Sequence, residues 1–93
     1  MSEKIGAMVR EARLKKDMTQ GQVAQLLGFQ NAQFVYMIER NIAKVPLDVV
    51  GKLIVLLDLN ESVIMDLLFS EFRDKAVREV KEGKKAVSAK KRR

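Results

Sequence analysis

The side chains that most often perform catalysis are scarce in this sequence. It contains neither histidine nor cysteine, which excludes disulfides, thiolate and imidazole metal ligands, and every catalytic arrangement that relies on those residue types. The remaining candidates for enzymatic chemistry are carboxylates, lysines and a single tyrosine, Tyr36. We find no phosphate-binding loop and no metal-binding motif. The sequence therefore predicts a protein that is not an enzyme and that requires neither a cofactor nor a metal.

Basic residues supply a different chemistry, which is attraction to phosphate. The net charge of +6 arises entirely in residues 81–93, which hold seven Lys/Arg and only Glu82 as an acid, whereas residues 1–80 are neutral. Beyond Gly83 the sequence has little to bury, so we expect a basic disordered tail. Such a tail either adds nonspecific attraction to DNA or is merely solvated, and both interpretations remain open. Its basic residues are Lys84, Lys85, Lys90, Lys91, Arg92 and Arg93.

The elements that must position these side chains are helices. Pro46 is the only proline, and no alternating apolar pattern bounded by turn residues indicates a strand. Apolar residues that recur at steps of three and four instead predict an all-α fold of five helices. A chain of 93 residues is long enough for one modest core. The predicted helices cover residues 4–16, 19–27, 32–40, 46–57 and 61–82.

The second and third predicted helices are joined by a tight turn. Thr19 and Gln22 have the spacing of a capping box, which marks the start of the second helix. Gly28 suits the left-handed conformation that ends it, and Asn31 suits the N-cap of the third. Two short helices in this arrangement form a helix-turn-helix, whose second helix enters a major groove of DNA.

At this point the sequence resembles the Cro/repressor (XRE) family of helix-turn-helix domains. The resemblance rests on residues 9–13, on the stretch Met-Thr-Gln-Gly-Gln-Val-Ala-Gln-Leu-Leu-Gly-Phe at residues 18–29, on Ile-Glu-Arg at residues 38–40, and on residues 46–59. It covers roughly residues 4–60, about two-thirds of the chain. It implies a transcription regulator, such as a repressor, that binds double-stranded DNA. Because no run approaches the eighteen or more apolar residues of a membrane span, we expect a cytoplasmic, nucleoid-associated protein without a membrane segment.

The resemblance also implies roles for individual residues. Gln33 is the strongest candidate base reader, because glutamine can make a bidentate contact with adenine. Gln20 matches a glutamine that contacts phosphate at the start of the second helix, where free backbone amides favour an anion. The candidate base contacts are Asn31, Ala32, Gln33, Tyr36 and Met37, and the candidate phosphate contacts are Arg10, Gln20, Gln30, Arg40, Asn41 and Lys44.

Glu39 matches an acidic residue of the family whose implied role is structural. We expect it to form an ion pair with Arg13 of the first helix. The sequence departs from the family pattern by one extra residue between Gly28 and Glu39, and by Asn41 and Asp58 at positions where glycine is usual. Asparagine tolerates the left-handed conformation better than most residues.

The last predicted helix carries two apolar faces, which exceeds the needs of one small core. One face holds Ile64, Leu67 and Leu68. The other either forms a dimer seam or packs back on the first and fourth helices, and we favour the dimer because a half-site reader gains affinity by pairing. This second stripe consists of Met65, Phe69, Phe72, Ala76 and Val80.

The predicted organisation is a helix-turn-helix DNA-binding domain at residues 1–60, an amphipathic helix at residues 61–82 and a basic tail at residues 83–93. The first hypothesis is a regulator that reads a major groove with residues 32–40 as a homodimer. The alternative is a protein-interaction module or an antitoxin on the same fold, with weak or nonspecific binding to DNA. Tyr36, Met37 and the apolar stripe would then contact a protein partner.

Overall fold

The computed structural model describes the backbone of residues 3–91 and the side chains of residues 5–89. All regular secondary structure in this described part is helical, which confirms the all-α prediction. Apart from the last helix, the predicted bounds differ from the observed ones by at most one residue. The five helices are α1 (Glu3–Lys15), α2 (Gln20–Leu26), α3 (Gln33–Glu39), α4 (Leu47–Leu57) and α5 (Glu61–Lys91).

A single core forms where the five helices meet. Each helix contributes at least one side chain that is almost completely shielded from solvent, so no helix is merely an appendage of the others. The partly buried residues Met8, Ala12, Leu67 and Leu68 pack around this centre. The largest fully buried side chains are Val9 of α1, Val23 of α2, Val35 and Ile38 of α3, Leu57 of α4 and Ile64 of α5.

The sequence pattern assigns most core positions correctly but misjudges the edge of α4. Helical periodicity predicts a buried Leu47, yet this residue is 73 % exposed, whereas Val49 is buried. Leu47 follows Pro46 directly at the first position of the helix. A side chain there has no preceding helical turn beside it, and the helix turns Val49 towards the core instead. Phe34, also predicted inside, is half-buried and packs on Phe29 with ring centroids 5.0 Å apart.

Capping interactions hold the two short helices in place. The Thr19 hydroxyl accepts from the Gln22 backbone N–H at 3.0 Å, and the Gln22 side chain accepts from the Thr19 N–H at 2.8 Å. The predicted capping box is therefore present. Asn31 lies one residue before the N-cap position of α3, and its Oδ1 accepts from the Gln33 backbone N–H at 2.9 Å. That bond satisfies an amide that would otherwise lack a partner at the helix start.

Each of the four connections between helices contains a residue with a positive φ, the first being Asp17, between α1 and α2, at 56°. Gly28 ends the segment after α2 with a φ of 86°, where a residue without a side chain is favoured. Asn41 and Asp58 have φ values of 58° and 53° and end α3 and α4. The two positions where glycine is usual in the family thus keep the left-handed backbone, which short polar residues tolerate.

The last helix differs from the expectation of a disordered tail after Gly83, because α5 continues to Lys91. Lys and Ala are good helix formers, and acidic and basic residues alternate at four-residue spacing between Glu71 and Glu82. A straight α-helix of 31 residues is about 46 Å long. From residue 77 onwards every described side chain of α5 is exposed, so about half of this helix extends away from the core. The terminal arginines Arg92 and Arg93 lie outside the described residues.

Candidate nucleic-acid interface

A buried ion pair links the first and third helices. Arg13 Nε lies 2.7 Å from Glu39 Oε2, and Arg13 Nη2 donates to Glu39 Oε1 at 3.0 Å. The third donor, Arg13 Nη1, reaches the Met18 carbonyl oxygen at 2.9 Å. This is the pairing expected from the sequence, and its two parallel bonds fix the angle between α1 and α3. The hydrogen bond to Glu39 raises the pKa of Arg13 above its ordinary value, although burial opposes the shift, so the arginine stays charged.

Gln20 joins this pair, which sequence reasoning did not foresee. Its amide Nε2 donates to Glu39 Oε1 at 3.2 Å, and the side chain is partly buried. The start of α2 is thereby tied to the end of α3 through the same carboxylate. An amide NH2 carries two protons, so one N–H remains free for the phosphate contact that the sequence predicts. No feature of the sequence distinguishes this second role, because it depends on how close α2 and α3 lie.

The outward face of α3 is short and mixed in character. Gln33, Tyr36 and Arg40 are exposed, and their spacing of three and four residues places them on one side of the helix. The Arg40 guanidinium lies 5.7 Å from the centroid of the Tyr36 ring, within the range of a cation–π contact. This contact holds the arginine beside the tyrosine. The face therefore presents an amide, an aromatic hydroxyl and a cation to an approaching ligand.

The other candidate base contacts are less accessible. Ala32 and Met37 are half-buried, and Asn31 is exposed but uses its Oδ1 in the bond to Gln33. With its oxygen occupied, the Asn31 side chain has only its NH2 group left to donate to a base. A bidentate contact with adenine requires both the oxygen and the NH2 group of a side-chain amide. Among the candidate base contacts, Gln33 alone is exposed and has a side-chain amide that forms no hydrogen bond in the described structure.

Most of the candidate phosphate contacts are accessible. Arg10, Gln30, Arg40 and Lys44 are all exposed. Asn41 is different, because it is half-buried and its Oδ1 has no hydrogen-bond partner in the described structure. That oxygen faces α1 at Gly6, whose position leaves room for no side chain. The Asn41 Oδ1 therefore packs against α1, and the phosphate contact of this residue remains a prediction.

The second apolar stripe of α5 is open to solvent. Phe69 and Phe72 are 63 % and 71 % exposed, and Met65 is also exposed while Ala76 is half-buried. Together with α4 they form an open groove that includes the exposed residues Leu47 and Val55. The sequence analysis did not predict that these two α4 residues line an exposed surface. The signal that could have shown it is that apolar residues occupy every side of α4. The stripe therefore does not pack fully against the rest of its own chain.

The basic residues near the end of α5 are exposed where the structure describes their side chains. Lys84 and Lys85 are exposed on the projecting part of the helix. Lys90 and Lys91 belong to the helix, but their side chains lie outside the described set, as do Arg92 and Arg93 altogether. Within the residues that the structure describes, no group of acidic side chains could hold a metal ion. None of the helices described is sufficiently long and apolar to span a membrane.

Comparison with protein-family models identifies the domain. A model described as helix-turn-helix matches residues 9–64, which is more than half of the chain. This chain belongs to the XRE family of helix-turn-helix proteins. The match begins in α1 and ends at Ile64 of α5, so it contains the Arg13–Glu39 pair and both short helices. Comparisons with curated proteins and with solved structures found no match. The XRE assignment makes the chain a DNA-binding regulatory protein.

Proposed function

We propose that this XRE-family protein is a sequence-specific transcription regulator that binds double-stranded DNA as a homodimer, with α3 in the major groove. One observation carries the proposal: an exposed amide, Gln33, stands at the start of a helix that a buried ion pair orients. A base reader must be held in place by neighbouring side chains if it is to discriminate between bases. The Arg13–Glu39 pair attaches the end of α3 to α1 and thereby orients the helix that carries Gln33.

Backbone contacts complete the proposed interface. Arg10 on α1 and Lys44 after α3 are exposed cations on either side of the helix-turn-helix in the sequence. Gln20 has one N–H directed to Glu39 and one available for phosphate. Contacts of this kind set the register of a protein on DNA but carry no direct information about base sequence. The proposal therefore separates the roles, with Gln33 reading bases and Gln20 positioning α2.

Selection of bound sequences from random duplex DNA tests the proposal. The full chain is expected to recover a palindrome, because a two-fold dimer reads two half-sites. Recovery of no sequence, with binding abolished at physiological salt, would contradict the regulator.

Substitutions on the recovered site test the individual roles. Gln33→Ala is expected to relax the preference at one base position and to cost about 1–3 kcal/mol on the best site. Gln20→Ala is expected to weaken binding to every duplex about equally. Gln25→Ala, an exposed glutamine on α2 outside the proposed interface, is the matched control and should change neither affinity nor preference. If Gln33→Ala weakens all duplexes alike, Gln33 is not a reader.

A second candidate function rests on the groove between α4 and α5. Leu47, Phe69 and Phe72 expose apolar surface that a monomer gains nothing by displaying. A protein-interaction module, or an antitoxin that also binds DNA, would use this groove to bind a protein of different sequence. A dimer whose groove is covered by the second copy would leave no site for such a partner, so the oligomeric state separates the two functions.

A further inference from the structure

One side of α5 carries an apolar stripe along the whole helix. Its members recur at steps of four, three, four, four, three and four residues, an eleven-residue repeat that keeps them on one face of a nearly straight helix. Phe72, Val80 and Val87 are 71 %, 62 % and 55 % exposed, so the described part of the chain leaves the stripe uncovered. The stripe consists of Met65, Phe69, Phe72, Ala76, Val80, Gly83 and Val87.

The spacing of this stripe is the same in both directions from Ala76. In two antiparallel copies of α5 related by a two-fold axis at Ala76, each stripe position therefore lies level with a stripe position of the other copy. Phe72 is level with Val80 of the second copy, Phe69 with Gly83, and Met65 with Val87. Large side chains thus meet smaller ones in every layer, and the two Ala76 residues permit close approach at the centre.

The charge pattern of α5 also favours the antiparallel arrangement. Residues 61–75 hold four acidic and two basic residues, a net charge of −2, whereas residues 77–91 hold six basic and two acidic residues, a net charge of +4. An antiparallel pair brings opposite halves together, and a parallel pair brings like halves together. Helical geometry also places Lys75 beside Glu79 of the second copy and Asp66 beside Lys84, on the flanks of the seam.

We propose that α5 is an antiparallel dimerisation helix whose partner is α5 of a second copy, with the two-fold axis at Ala76. This inference rests on the proposed function, because it specifies the geometry of the homodimer proposed there. The second half of each α5 then lies along the first half of the other and covers the groove that includes Leu47 and Val55. Both apolar faces of α5 are thereby used, one within the core and one between copies.

The arrangement has a consequence for DNA. Ile64, which anchors α5 in its own core, lies twelve residues from Ala76. At a rise of 1.5 Å per residue, the two Ile64 residues are separated by about 36 Å along the pair. Successive major grooves on one side of B-DNA are about 34–36 Å apart. The points at which the two α5 helices enter their own cores are therefore separated by about the distance between two half-sites.

Cysteine crosslinking tests the orientation directly, because the chain contains no cysteine of its own. Differently tagged full-length Met65→Cys and Val87→Cys chains are mixed in a glutathione redox buffer. The mixed disulfide is expected to exceed either same-position disulfide by about tenfold or more, since same-position residues would be about 33 Å apart and a disulfide needs about 4.4–6.8 Å between Cα atoms. Efficient crosslinking of each variant to itself would establish a parallel pair and overturn the proposal.

Three further cysteine variants make the result unambiguous. Lys85→Cys lies exposed on the side of α5 opposite the stripe and should not crosslink to Met65→Cys. If Met65→Cys unfolds, Phe72→Cys with Val80→Cys probes the same register at exposed positions. A wild-type chain that sediments as a monomer at all concentrations would also overturn the pairing. If duplex selection recovers a palindrome but the mixed disulfides do not form, the antiparallel geometry is wrong and the proposed regulator is supported. If the mixed disulfides form but no sequence is selected, the antiparallel geometry is supported and the proposed regulator is wrong.

Discussion

At the scale of single residues, one carboxylate organises the helix-turn-helix. Glu39 accepts from Arg13 of α1 and from Gln20 of α2, and it lies at the end of α3. A buried charge is costly unless its hydrogen bonds are satisfied, and here two side chains share that task. The three helices therefore depend on one another through a polar contact as well as through the apolar core.

The contact between α1 and the end of α3 gives a prediction at this scale. A Cβ at Gly6 would lie 2.6 Å from Asn41 Oδ1 and 2.7 Å from the Ile38 carbonyl oxygen. Gly6→Ala is therefore expected to lower the free energy of unfolding by about 1–3 kcal/mol, as overpacking does elsewhere. Gly51→Ala, where a Cβ meets nothing within 4 Å in α4, should instead stabilise the protein by up to about 1 kcal/mol. Urea denaturation measures both, and equal stabilities of the two variants would contradict the prediction.

At the scale of elements, α5 performs two tasks with two faces. Ile64 is buried in the core, whereas Phe69 on the other face is largely exposed. An isolated helix gains little stability from its own hydrogen bonds in water, and most of its stability comes from packing an apolar face. The projecting half of α5 lacks such packing within the described part of its own chain, which supports the proposed pairing with a second copy.

Replacement of the exposed phenylalanines tests the second face. The double variant Phe69→Ser with Phe72→Ser is expected to fold normally, because both side chains are more than 60 % exposed, but to sediment as a monomer. Without the second half-site, binding to the palindrome should weaken by about 100-fold or more. Val63→Ser, an exposed apolar residue of α5 away from the stripe, is the matched control. A double variant that remains dimeric would show that the stripe does not form the seam.

At the scale of the whole molecule, shape and charge are both asymmetric. The radius of gyration is 17.2 Å, compared with about 12 Å for a compact domain of this length. The difference reflects the projecting part of α5. The excess of positive charge falls in residues 81–93 of the sequence, whereas residues 1–80 are neutral overall. This distribution supports the proposal that base contacts and general phosphate attraction belong to different parts of the chain.

Removal of residues 88–93 tests this division without shortening the apolar stripe. The deleted segment holds the basic residues 90–93. For every phosphate that the shortened chain no longer neutralises, the slope of log affinity against log salt should flatten by about 0.9, or by about 3–4 units if all four basic residues engage DNA. Affinity for the operator and for a scrambled duplex should fall by similar factors, so specificity stays the same. Fluorescence anisotropy across a salt series measures both, and an unchanged slope would exclude these residues from DNA binding.

The sequence by itself determined the local elements and the type of fold. Helical periodicity, the Thr19 capping box and the glycine at residue 28 act over a few residues, so the chain near them defines α2 and its turn. The pairing of Glu39 with Arg13 was accessible only through the family resemblance, since 26 residues separate the two. The candidate base and phosphate contacts remain predictions, for they concern a ligand that neither periodicity nor packing describes.

Only the tertiary structure decided which surfaces are covered. It placed the Gln20 amide on Glu39, turned Leu47 outwards and Val49 inwards, and continued α5 to Lys91. The sequence shows that α5 has two apolar faces, but not which of them meets the core. That choice depends on where α1 and α4 lie, and hence on packing between residues far apart in the chain. Local pattern therefore predicted the helices, whereas their mutual packing determined which side chains are left to bind DNA or a second copy.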